Sequence, residues 1–342
     1  MRILRLSFAV LLMMVAVSSE CLAQSYTVTD LGTLPGGKYS TAFALNNLGQ
    51  VVGFASVSSG NDHAFLWSSS TGMRDLGLLY SGDAYSTAYG INGSGQVVGV
   101  SGASGFFWAN GTMQDVGNLG GVGTIAYGVN TLGQVVGASA LPNNQPQHAF
   151  LWTSATGMQD LGTLGGASVA YAISDAGQVV GFSYLSDNLT FHAFLWTPGT
   201  GMQDLGTLGG TTSSAAAVNA TGQVVGSSTT TNNDSQVAFL WDPIRGMQSL
   251  ATNRNQAVNS ALGINQSRQV VGESNFGGKT RGFLWTQSSG LQNVNTFISP
   301  KNPFVEVAYA VNKRGQIVGA GSNGHALLLT PTKQPSSQRS QP

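Results

Sequence analysis

Short apolar runs of about five residues recur along this chain, each bounded by Gly, Asn or Ser. The stretch 42–79 shows the unit. Phe43-Ala44-Leu45 leads into Asn46-Asn47-Leu48-Gly49, then Gln50-Val51-Val52-Gly53, and after a loop His63-Ala64-Phe65-Leu66-Trp67. Thr71-Gly72 then turns the chain into Met73-Arg74-Asp75-Leu76-Gly77. Runs of this length, rich in β-branched and aromatic residues, predict four strands per unit. No later segment sustains a helical period, and the glycine density opposes helices. The third strand alternates, with His63, Phe65 and Trp67 on one face and Ala64 and Leu66 on the other. Both faces are largely apolar, so neighbouring sheets should cover both sides.

The first turn carries specific chemistry. Asn is followed three residues later by Gly at 46/49, 92/95, 130/133, 219/222 and 312/315. An Asn side chain can bond the backbone two residues on, and Gly can take positive φ, which suits a tight hairpin. Ser174 with Gly177 keeps the pattern with a weaker acceptor. Asn265 with Arg268 departs from it and predicts a looser or strained turn.

Gly-Gln-Val-Val-Gly, or a close variant, begins at Gly49, Gly95, Gly133, Gly177, Gly222, Arg268 and Gly315. The spacings are 46, 38, 44, 45, 46 and 47 residues, a period that suits a four-stranded blade better than one β-helix coil. The first three strands occur seven times. The fourth follows six of them, at Met73, Met113, Met158, Met202, Met247 and Leu291, and is missing after the last. One orphan copy, Thr27 to Leu34, lies at the front. If it pairs with the strand near Ala326 to Leu329, both termini share one sheet and the edges vanish. The expectation is an all-β, seven-bladed β-propeller over residues 25–331, its last blade completed by the N-terminal strand. A β-solenoid is the alternative, although it would need capping repeats and has no use for such a swap.

Composition narrows the class. Of 342 residues, 42% are hydrophobic and only 8% charged, and net charge is zero. This is not a disordered composition. No basic stripe is present, so nucleic acid is not an expected partner. Residues 1–23 resemble a secretory signal: Arg2 and Arg5, an apolar run from Leu6 to Val17, and a small-residue exit with cleavage after Ala23. The apolar run is short for a membrane anchor. Glu20 beside Cys21 disfavours lipid attachment. Cys21 is the single cysteine, so the mature chain has no disulfide. The polar stretch 332–342 reads as a disordered tail. A secreted or periplasmic monomer without a membrane span is expected.

His-Ala-Phe at 63, 148 and 192, with Asp-Leu-Gly-Thr-Leu-Gly-Gly at 160–166 and 204–210, resembles the HAF repeat of secreted bacterial proteins. The resemblance covers nearly the whole mature chain. It implies an extracellular location and no particular reaction.

The recurring polar residues read as parts of the blade. His63, His148, His192 and His325 share one repeat position, and equivalent positions on packed sheets lie roughly 10 Å apart, too far for Zn–N bonds of about 2 Å. Ser104, Val237 and Arg281 stand there in the other repeats. Trp67, Trp108, Trp152, Trp196, Trp241 and Trp285 also share one position and predict packing between blades. Asp30, Asp75, Asp115, Asp160 and Asp204 recur in the fourth strand, with Ser249 and Asn293 in the remaining copies, which favours hydrogen bonding over charge. No phosphate loop, nucleophile elbow or His/Cys cluster is present, and no cofactor or metal is expected. The glycines read as turn residues.

The second turns and the links between units are long and variable, and they share one face. Function usually sits on variable loops over a rigid scaffold. The candidate binding face carries Lys38, Tyr39, Tyr80, Asp83, Tyr85, Asn143, Asn144, Tyr184, Asp187, Phe191, Phe276, Lys279, Arg281, Lys301 and Phe304. Aromatics mixed with Asn and Asp suit a glycan or a protein partner. Two classes stay open. One is a secreted binding or scaffold module. The other is a propeller enzyme on extracellular polysaccharide, a lyase or glycoside hydrolase, for which the acids Asp83, Asp187, Asp234 and Glu306 are scattered over different units. Two carboxylates about 5–10 Å apart would be needed.

Overall fold

The computed structural model describes residues 25–143, 145–233, 235–251 and 259–332. The signal expected at 1–23, Asn144, Asp234 and the tail expected beyond Thr332 lie outside these. Thr332 itself is tied down, its backbone N–H donating to the Ser25 carbonyl at 2.9 Å.

The described residues form twenty-eight strands and two short 3-10 turns, with no α-helix. They make five four-stranded sheets and one of eight strands. The eight-stranded sheet is two four-strand meanders, spanning 165–204 and 209–249, joined by one parallel pair, Phe191 with Thr212. The first meander shows the common order: Ser40–Leu45, Val51–Ser56, Asp62–Ser68 and Gly72–Gly77, all antiparallel. The orphan N-terminal strand, Tyr26–Asp30, pairs with Ala326–Pro331 in register Tyr26–Pro331 to Asp30–Leu327, as expected. Leu31, Leu34 and Leu328 then pack on Ala42, Val51 and Phe65, so the last sheet covers the first.

Packing between sheets follows a size rule. The last glycine of each GQVVG sits mid-strand opposite a large residue: Gly53 faces Phe65, Gly99 faces Phe106, Gly137 faces Phe150. These phenylalanines are fully buried. Phe106 and Trp108 pack with Val52, Ala64 and Leu66 of the preceding sheet, which is the inter-sheet packing expected of the tryptophans. The glycine is therefore not a turn residue, as the sequence suggested. The first strand of every meander carries a β-bulge, seen for instance as a register shift between Ala126 and Gly128. A Cβ on Gly137 would overlap the Ile125 carbonyl just before that bulge. The bulge needs the glycine, and the glycine admits the phenylalanine.

The asparagine turns do more than close hairpins. Asn46 Oδ1 accepts from the backbone N–H of Leu48 and Gln50, both at 3.0 Å. Its Nδ2 donates to Gln50 Oε1 at 2.6 Å and to the Asn92 carbonyl of the next sheet at 3.1 Å. All four hydrogen-bonding sites of this buried amide are satisfied, which removes the cost of burying it. The relay continues from Asn92 to Asn130 and on to Ser174, then from Asn219 to Asn265, Asn312 and back to Asn46. Ser174 spends its shorter hydroxyl on Gln178 within its own turn. Asn265 makes the same turn as the others, with Arg268 forced to φ 58 in place of glycine. That turn is strained rather than loosened.

Candidate functional site

The bulge decides what lines the central channel. An extra residue in the first strand breaks the two-residue alternation and turns one side chain out of the sheet stack. The residues so placed are Phe43, Tyr89, Tyr127, Tyr171, Ala216, Leu262 and Tyr309, and all line one central cavity of about 380 Å³. Five are aromatic and adjoin. Phe43 meets Tyr309 at 5.1 Å and Tyr89 at 5.5 Å, and Tyr89–Tyr127 and Tyr127–Tyr171 are both 5.1 Å between centroids.

The stack extends toward the loop end on both sides. On one side Phe54 links Phe43 to Tyr39, at 5.7 and 6.3 Å. On the other, Phe182 links Tyr171 to Tyr184, both at 5.9 Å, and to Phe191 at 5.3 Å. The result is an arc of ten contiguous rings. Among the described residues, the rest of the circle carries no ring. There Ala216 and Leu262 leave space, and Ser214, Ser227 and Ser260 line it. A second cavity of about 350 Å³ shares Tyr171, Ser214 and Ser227 with the first. It runs between Phe182, Tyr184 and Phe191 on one wall and Thr212, Thr229 and Gln236 on the other.

Burial makes the channel hydroxyls poor acids. Desolvation, with the neighbouring Tyr171 and Tyr89, pushes Tyr127 up to about 12. Tyr171 is raised by burial, Tyr89 by burial and Tyr85, and Tyr309 by burial and the Glu273 carboxylate. Each is therefore neutral in the native state at a pH where the unfolded chain has begun to ionise, near 10. The unfolded state then binds fewer protons, so stability falls as pH rises above 10. Tyrosinate absorbance against pH should show a late-ionising class in the native protein. Tyr127→Phe should shrink that class and soften the alkaline loss of stability. An unchanged titration in the variant would contradict this placement.

The loop residues singled out by sequence fare unequally. Tyr39, Tyr184 and Phe191 belong to the arc. Tyr80 and Tyr85 do not: their hydroxyls donate to Asp115 Oδ2 at 2.7 Å and to the Gly102 carbonyl at 2.9 Å. Asp83 accepts from Ser101 Oγ and the Tyr80 N–H. Asp187 caps its own loop, accepting from Leu189 N, Thr190 N and Thr190 Oγ1, and those donors hold its carboxyl below the usual range. Phe276 packs on the core beside Leu250 and Phe283 rather than standing free. Arg281 lies 5.0 Å over the exposed Phe304 ring. Asn143 is exposed at φ 59, and Lys38, Lys279 and Lys301 are on the surface.

The histidines and aspartates, treated separately in sequence, are partners. Nδ1 of His63, His148 and His192 lies 2.8 Å from Asp75, Asp160 and Asp204, and His325 lies 3.0 Å from Asp30. Each aspartate also accepts from the backbone N–H two residues on, as Asp75 does from Gly77. This is a clamp between third and fourth strands. The signal was present: where Val237 and Arg281 replace His, Ser249 and Asn293 replace Asp. The hydrogen-bonding role expected of the aspartates is what the structure shows. Among the described residues, no group of three His, Cys, Asp or Glu side chains converges as a metal site would.

No family model and no curated protein matches this chain. Solved structures do. An oligogalacturonate lyase in complex with manganese aligns with TM-score 0.59 at 12% identity, over 91% of this chain and 97% of that one. A virginiamycin B lyase from Staphylococcus aureus with quinupristin aligns with TM-score 0.55 at 10% identity, over 89% and 99%. The extracellular domain of the one-component system BT4673 from B. thetaiotaomicron aligns with TM-score 0.54 at 9% identity, over 90% of this chain and 40% of that chain. The chain thus spans well under two thirds of that last protein's length. At these identities the likeness establishes a propeller-like all-β fold and nothing about chemistry. No helix among the described residues is long and apolar enough to cross a membrane.

Proposed function

We propose that this protein is a secreted, seven-bladed propeller of the HAF-repeat type that binds an extracellular glycan at the loop end of its channel. The blade count rests on seven GQVVG copies, on the resolution of the eight-stranded sheet into two meanders, and on the asparagine relay returning from Asn312 to Asn46. Secretion rests on the signal-like residues 1–23. The observation that carries the binding reading is the aromatic arc, whose rings cover a mouth reached from the variable loops. Half-buried aromatic walls with few polar groups are the usual lining of a ligand site. Binding without turnover is favoured because Asp83, Asp187 and the clamp aspartates are spent on hydrogen bonds within the fold.

Affinity electrophoresis of the mature protein through gels containing soluble polysaccharides tests this, paired with assays for new reducing or unsaturated ends. The expected result is retarded migration in at least one polymer, with polymer length unchanged. Retardation in none would refute binding, and new chain ends would establish an enzyme.

A further inference from the structure

Two walls of opposite character face each other between the meanders 165–204 and 209–249. One is aromatic: Phe182, Tyr184 and Phe191, continuous with Tyr171. The other presents hydroxyls and one amide, from Thr212, Thr229 and Gln236. The single parallel pair Phe191–Thr212 ties the two walls together and fixes their separation. Gln236 is preset, its Nε2 donating to Ser227 Oγ at 2.6 Å. The cavity opens into the central one through Tyr171, Ser214 and Ser227, and the two, about 350 and 380 Å³, fall in the size range of small-molecule sites.

Charge is the deciding feature. Among the described residues, no charged side chain lines either cavity. An anionic polymer would lose hydration there with no cation to replace it. A cationic ligand would leave the Ser and Thr wall unused. A neutral sugar fits both walls, since its C–H face stacks on rings and its rim of hydroxyls meets hydroxyl and amide partners. We infer that this cleft is a subsite for a neutral oligosaccharide, with Tyr184 and Phe191 as its stacking platform and Thr212, Thr229 and Gln236 as its polar readers. This inference rests on the glycan-binding reading and specifies its charge class and location.

The test is an array of neutral and anionic oligosaccharides probed with the mature protein and three variants. Tyr184→Ala should weaken binding about tenfold, the worth of one stacking contact. Tyr184→Phe, which keeps the ring, should bind like the parent, and Tyr80→Ala should too. A melting midpoint measured alongside separates lost binding from lost folding. Should Tyr184→Ala misfold, Gln236→Glu, at the exposed residue of the polar wall, serves instead, and should also lower affinity for neutral glycans. Preference for anionic glycans, or undiminished neutral binding by Tyr184→Ala and Gln236→Glu, would overturn the cleft while leaving glycan binding intact. Absence of binding to every glycan would overturn both.

Discussion

Deleting Ser25 to Leu34 should leave a chain that no longer folds cooperatively at ordinary temperature. That segment supplies the outer strand of the last sheet, pairing Tyr26–Asp30 with Ala326–Pro331. It buries Tyr26, Leu31 and Leu34 almost completely. Burial of a large apolar side chain contributes about 1.5–3 kcal/mol, so the three together are worth on the order of 5 kcal/mol. Whole domains are stable by only about 5–15 kcal/mol. The deletion also strips Asp30 from His325 and exposes the edge of Ala326–Pro331 to pairing with other chains. Urea unfolding monitored by tryptophan fluorescence measures the loss. A midpoint equal to that of the undeleted chain would show that the N-terminal strand does not hold the last sheet to the first.

Gly137→Ala should be nearly as damaging, although it adds a single methyl group. Its Cβ would overlap the Ile125 carbonyl and lie 2.8 Å from the Phe150 ring, and both neighbours are locked in the sheet. Relief requires undoing the bulge, which would also withdraw Tyr127 from the channel. A cost on the order of 3 kcal/mol or more is expected. Gly157→Ala is the informative contrast. It sits in an open turn at φ +72 with nothing within 4 Å of the added carbon. Only the left-handed backbone penalty of roughly 1–2 kcal/mol applies there. Equal denaturation midpoints for the two variants would refute the account of why each repeat ends in glycine.

That pair shows where the sequence was legible. The Asn-x-x-Gly turns, the strand runs and the orphan strand are local signals, and each could be read from spacing and turn chemistry. The bulge could not, because one inserted residue shifts the alternation by one and hides the change of face. Tyr89, Tyr127, Tyr171 and Tyr309 therefore carry no signal of their own in the sequence, and Gly137 reads as a turn residue. The loop candidates divide on a different ground. Their place in variable loops groups Tyr39, Tyr80, Tyr85 and Tyr184 alike, but only the fold shows that Tyr39 and Tyr184 end one aromatic arc. Tyr80 and Tyr85 spend their hydroxyls locally.

On the glycan-binding reading proposed above, ligand recognition belongs to the aromatic arc rather than to the loops at large. Fluorine NMR of the protein labelled with 3-fluorotyrosine tests it directly, because the chain has nine tyrosines, distributed over both kinds of site. Titration with a neutral oligosaccharide that the array retains should shift the Tyr171 and Tyr184 resonances, assigned by Tyr→Phe variants. Tyr80 and Tyr85 should stay unmoved. Shifts confined to Tyr80 and Tyr85, or saturating binding with Tyr171 and Tyr184 unchanged, would contradict it.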